Sequence, residues 1–96
     1  GSIDLAQTWI QLGHPAEGGK ILDAMGQNAK EYLEWYLSLD TRRLLQSSRD
    51  CMMQISILYR IAQTYAPIDP KKAEEYRKAM EGYAARCHER GINMYQ

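Results

Sequence analysis

Apolar residues along this chain recur at steps of three and four, the spacing that puts them on one face of a helix. They rarely alternate as a half-buried strand requires, and Val and Phe, both favoured in strands, are absent. Four helices account for the pattern, at about 3–12, 15–37, 48–66 and 70–90. The first sets Leu5, Trp9 and Leu12 on one face, and Gly13 stops it. Pro15 opens the second at a first-turn position, where a missing N–H costs nothing.

The second helix is the most regular. Gly18, Leu22, Met25, Ala29, Tyr32, Tyr36 and Leu39 form an unbroken stripe, with Asp23, Gln27, Lys30, Glu31 and Glu34 off it. Gly26 costs about 1 kcal/mol against Ala in a helix interior. The stripe continues past it, so the helix is expected to run on to Leu37. The adjacent Gly18 and Gly19 imply close backbone approach to the first helix. Residues 40–47 form a connection with room for one short helical turn. Ser47-Ser48-Arg49-Asp50 then reads as a capping box opening the third helix. That helix carries Cys51, Ile55, Leu58, Ala62 and Tyr65 on one stripe and stops at Pro67. Asp69-Pro70, a capping carboxylate followed by proline, starts the fourth. Ala73, Tyr76, Met80, Tyr83 and Cys87 turn inward along it, Glu74 and Lys78 make an i,i+4 pair, and Gly91 ends it. The expected fold is all-α, two antiparallel helical hairpins in a single domain over 1–96. Gly1-Ser2 reads as a tag-cleavage scar, which suggests a fragment of a longer protein. The last residues are expected to fray or fold back.

A weak internal duplication accompanies this organisation. Leu5-Ala6-Gln7-Thr8-Trp9 recurs as Ile61-Ala62-Gln63-Thr64-Tyr65, 56 residues on. His14-Pro15 recurs as Asp69-Pro70, Ala24-Met25 as Ala79-Met80, and Ala29 as Ala84, each 55 residues on. One residue of loop difference reconciles the two offsets, and two similar hairpins result. The hairpins resemble tetratricopeptide-type repeats. Leu5, Ala6, Trp9, Gly13, Leu22 and Met25 fall at spacings like that motif's packing positions, with Gly18 where the family usually has alanine. Leu58, Ile61, Ala62, Tyr65, Ala73 and Met80 do the same in the second unit, with one residue missing from the turn. The family's period is roughly 34 residues, shorter than the one here, so a regular superhelix with its peptide groove does not follow. The segment 32–39, Tyr-Leu-Glu-Trp-Tyr-Leu-Ser-Leu, precedes a basic connection and a helix ending in Ala-Gln-Thr-Tyr. This part is similar to the C-terminal soluble extension of certain bacterial multi-pass membrane proteins of unassigned function. Their membrane part resembles protein O-mannosyltransferases and related lipid-linked glycosyltransferases. That resemblance implies a domain outside the lipid, on the extracytoplasmic side, and says nothing about chemistry within it.

Charge narrows the partners. Twelve basic and twelve acidic side chains give a formal net charge of zero, so the basic field that nucleic-acid binding needs is missing. The longest uncharged runs, 5–16 and 51–59, fall short of the ~18 residues of a membrane span. No catalytic constellation is recognisable. His14 and His88 lack partners at ligand spacing, so no metal is expected, and Gly18-Gly19 lacks the pattern of a phosphate loop. No cofactor is called for. Cys51 and Cys87 stand at similar height in the second hairpin, on inward stripes. They are either two buried thiols acting as small apolar filler, the favoured reading, or a disulfide closing the hairpin's far end. Trp35, off the core stripe, either covers the connection or is an exposed contact residue. With Arg42 and Arg43 it makes up the candidate partner-binding set. The expected function is a non-catalytic interaction module for a protein or peptide. The alternative is a structural or self-associating bundle, with a homodimer as its simplest form.

Overall fold

The computed structural model describes residues 2–93; Gly1 of the expected scar and the final residues 94–96 lie outside them. Five helices follow one another: α1 (Ser2–Gln11), α2 (Pro15–Leu37), α3 (Thr41–Gln46), α4 (Ser48–Tyr65) and α5 (Pro70–Glu89). No strand occurs among the described residues. The fold is all-α, and the short α3 occupies the connection. α1 pairs with α2 and α4 with α5, while α4 packs back on α2, joining the hairpins into one body 46 Å long and about 20 Å across.

Local chemistry explains the boundaries. At the end of α1, Gly13 has φ +88°; its N–H donates to the Ile10 carbonyl (3.1 Å) and the His14 N–H to that of Trp9 (2.9 Å). Gly91 closes α5 identically, with φ +95° and bonds from Gly91 to His88 (3.0 Å) and Ile92 to Cys87 (3.1 Å). Both are Schellman caps, which use a left-handed residue to satisfy terminal carbonyls. The second folds Ile92 back into the core. Asp40 caps α3 and Asp69 caps α5, their carboxylates accepting from the Arg43 and Lys72 backbone N–H groups at 3.0 and 3.1 Å.

The expected capping box at Ser47 is not formed. Ser47 ends α3 and begins α4 at once, its N–H donating to Leu44, and its hydroxyl makes no cap bond. One residue between two helices leaves it no extended conformation from which to reach the next turn. Glu74 likewise bonds Arg77 rather than Lys78.

The core runs through Leu22, Ala29, Leu33, Tyr36, Leu44, Cys51, Leu58, Ile61 and Cys87, all fully buried. One expectation fails here. The inward face of α1 is Ile3, Ala6 and Ile10, while Leu5, Trp9 and Leu12 lie at 53%, 37% and 67% exposure. Gly18 sets this orientation: a Cβ there would stand 2.8 Å from the Ala6 carbonyl oxygen and 2.7 Å from Ile10. The missing side chain lets the Ala6–Ile10 face seat against α2. Gly19 has another reason, since it faces the Tyr65 hydroxyl instead of α1.

Candidate functional site

Three features stand out beyond the core. The first joins the hairpins. Asp23 of α2 points at α4 and α5, where its Oδ1 accepts from the Tyr65 hydroxyl (2.7 Å) and the Tyr76 hydroxyl (2.8 Å). Its Oδ2 accepts from Lys72 Nζ at 3.0 Å. The two phenol rings stack at 5.7 Å, and Lys30 Nζ lies 4.9 Å over the Tyr76 ring. Burial works against the Asp23 charge, but the bonds from Tyr65, Lys72 and Tyr76 outweigh it and hold the carboxyl below its ordinary range. Burial and the neighbouring carboxylate push both phenols well above theirs, so they stay protonated donors. Lys72 and Asp23 stay 40% and 42% exposed, beside an open hollow of about 330 Å³ that Gly19, Tyr65 and Asp69 also line. The cluster staples the two hairpins together.

The second feature is the thiol pair. Cys51 in the first turns of α4 and Cys87 near the end of α5 are both fully buried, with sulfurs 3.0 Å apart. The hydrogen bond from Cys51, together with Arg86 and Arg90, makes Cys87 the thiol that ionises first. Arg90 also reaches across to α2, donating to the Leu37 and Leu39 carbonyls at 2.8 Å each.

The third is a groove of about 300 Å³ along the outer side of α4 and α5. Ala62, Ala66, Pro70 and Ala73 form its floor, and Tyr59 and the Glu74–Arg77 ion pair its rim. Small residues on both helices, Ala62 and Ala66 on α4 and Ala73 on α5, keep the groove open.

The predicted contact residues sit elsewhere. Trp35 is 54% exposed, with its ring 5.5 Å from Tyr32. Arg42 and Arg43 are exposed on α3, and Arg43 is engaged locally by Asp40 at 3.6 Å. These residues occupy the α2–α3 end, whereas the groove lies at the C-terminal half of α4 and the N-terminal half of α5. Sequence reasoning missed the groove because Tyr59, Ala66 and Arg77 belong to no stripe. The signal was there in the duplication, which puts Ala73 and Arg77 in the register of the core positions Gly18 and Leu22.

No group of three metal-ligating side chains converges among the described residues. None of their helices is long and apolar enough to cross a membrane. The architecture and its groove define the class, a two-hairpin helical domain with an uncovered lateral face. No family model, curated protein or solved structure matches the chain.

Proposed function

We propose that this chain is a non-catalytic, tetratricopeptide-like interaction module that docks an amphipathic helix in the groove between α4 and α5. On the resemblance of segment 32–39, it forms the extramembrane extension of a larger bacterial membrane protein. The observation that carries the docking role is the groove itself. Its floor is alanine and proline, which lets a partner backbone approach closely, and Tyr59 at 47% exposure offers the aromatic anchor typical of an interface. The groove's length along two helices suits a helix laid on its apolar i, i+4 row. Its one strong ion pair is at the rim, where it gives register more than affinity.

Selection from a displayed library of amphipathic helical peptides tests the reading. Binders should carry apolar residues at i and i+4 and weaken at least about ten-fold against Ala66→Arg, which fills an exposed position of the groove. Binders that are indifferent to Ala66→Arg and Tyr59→Glu would place recognition elsewhere and end the proposal.

A further inference from the structure

The internal duplication identifies the helix that belongs in the groove. Within the chain, α4 lies on the α1–α2 hairpin: Ile61 is fully buried, and Tyr65, 4% exposed, bonds Gly19 and Asp23 of α2. The residues in their register on α1 are Leu5 and Trp9, which are 53% and 37% exposed. The receiving side repeats in the same way. Ile3, 4% exposed, lies beside Ile57 and Arg60 of α4, and Gly19 faces the Tyr65 hydroxyl. Their counterparts in register are Tyr59 and Glu74, which line the open groove of the second hairpin. One molecule therefore carries a filled copy of the contact in its middle. An unused ridge lies at one end and an unused socket at the other.

We infer that the groove between α4 and α5 receives α1 of a second copy of this chain, so that the protein assembles head to tail. The inference rests on the docking role proposed above and names its partner. α1 brings one charged side chain, Asp4, and the Leu5–Trp9–Leu12 row enters the groove without burying it. The intramolecular contact ends in a donor on a carboxylate, Tyr65 on Asp23. In the intermolecular one the donor is the Trp9 indole N–H and the carboxylate is Glu74, which holds the register of Gly19 and is shared with Arg77. Ridge and socket are different surfaces, so the contact is heterologous: it leaves an open ridge and an open socket on every dimer and propagates.

That asymmetry dictates the experiment. Sedimentation velocity of the full chain from about 10 µM to about 1 mM should show a mass-average size that rises without a plateau at dimer. Leu5→Glu disables the ridge and Ala66→Arg the socket, both at exposed positions, and circular dichroism verifies the fold of each. Each variant alone should be monomeric, with self-association weakened at least about ten-fold. An equimolar mixture should form a one-to-one dimer and stop there, because the intact socket of Leu5→Glu meets the intact ridge of Ala66→Arg. A wild type monomeric at about 1 mM overturns the inference. So does a mixture that fails to pair, since a symmetric contact through either face predicts that failure. Helical-peptide binding that is lost on Ala66→Arg in a monomeric wild type would overturn self-docking alone and leave the docking role standing.

Discussion

Two glycines in helix interiors should respond to the same substitution with opposite signs. Gly82 faces open space on α5, with no atom within 4 Å of an added Cβ. Gly82→Ala therefore gains the helix-propensity difference of about 1 kcal/mol with no steric cost. At Gly26 the same Cβ would stand 2.4 Å from Tyr76 Cε1 and 2.7 Å from its hydroxyl. The ring has little freedom to withdraw. Its hydroxyl donates to Asp23 at 2.8 Å, its face stacks on Tyr65, and Lys30 caps the other side. Overpacking costs about 1–3 kcal/mol, and losing a hydrogen bond to a carboxylate about 1.5–3 kcal/mol. Against the propensity gain, Gly26→Ala should destabilise by about 1–3 kcal/mol. Urea unfolding followed by circular dichroism reads both variants, with midpoints moving in opposite directions at constant m. In a Tyr76→Leu background Gly26→Ala should recover most of the helix gain, which locates the clash at that ring. A Gly26→Ala protein as stable as Gly82→Ala would refute the packing argument.

Asp23, lowered by three donors, contributes stability that is complete above pH about 4 and lost as pH falls through its depressed folded pKa. Asp23→Asn should flatten this acid limb of the stability profile, and Asp23→Ala should cost about 1–2 kcal/mol at neutral pH, discounted for partial exposure. An unchanged limb in Asp23→Asn would show the cluster to be electrostatically idle. The buried thiols should label slowly in the native state and fully in denaturant. Diamide, which takes up their two hydrogens, should join Cys51 to Cys87 within one chain and stabilise it by about 3–4 kcal/mol; cross-linked dimers on a non-reducing gel would contradict the buried pair. Arg90→Ala strips two donors from the end of α2 and should cost about 1–2 kcal/mol, visible as a lower urea midpoint. No change in midpoint would mean that water replaces the guanidinium without loss.

What the sequence made legible was whatever depends on local periodicity. Pro15, Asp69-Pro70, Gly13 and Gly91 mark helix ends through their own backbones, so those boundaries follow from residue type alone. The Cys51–Cys87 proximity follows from counting outward from one turn. The Asp23 staple was not legible. Tyr65, Lys72 and Tyr76 lie 42, 49 and 53 residues away, and only the rotation of one hairpin on the other brings them to a carboxylate that pattern alone puts on the wet side of α2. Ser47 shows the reverse failure, where a correct local motif loses to a helix ending one residue earlier.

The misassigned face of α1 says more than the successes. In ten residues the helix carries two apolar rows, Ile3–Ala6–Ile10 and Leu5–Trp9–Leu12, the second continuing past its end. Periodicity cannot rank two rows on so short a segment, and the choice fell to Gly18, whose bare backbone admits Ala6 and Ile10. Single exposed apolar residues need no explanation on a small domain. Leu5 and Trp9 differ because they keep the register of the buried Ile61 and Tyr65 of α4, of which Tyr65 bonds the first hairpin. Side chains left over at random have no reason to align with the buried half of a contact elsewhere in the same chain. Nor has the groove, whose Tyr59 and Glu74 align with Ile3 and Gly19 on the other half of that contact. On the head-to-tail assembly proposed above, the α1 ridge and the α4–α5 groove are the surfaces on which mutations should change assembly while leaving the fold intact.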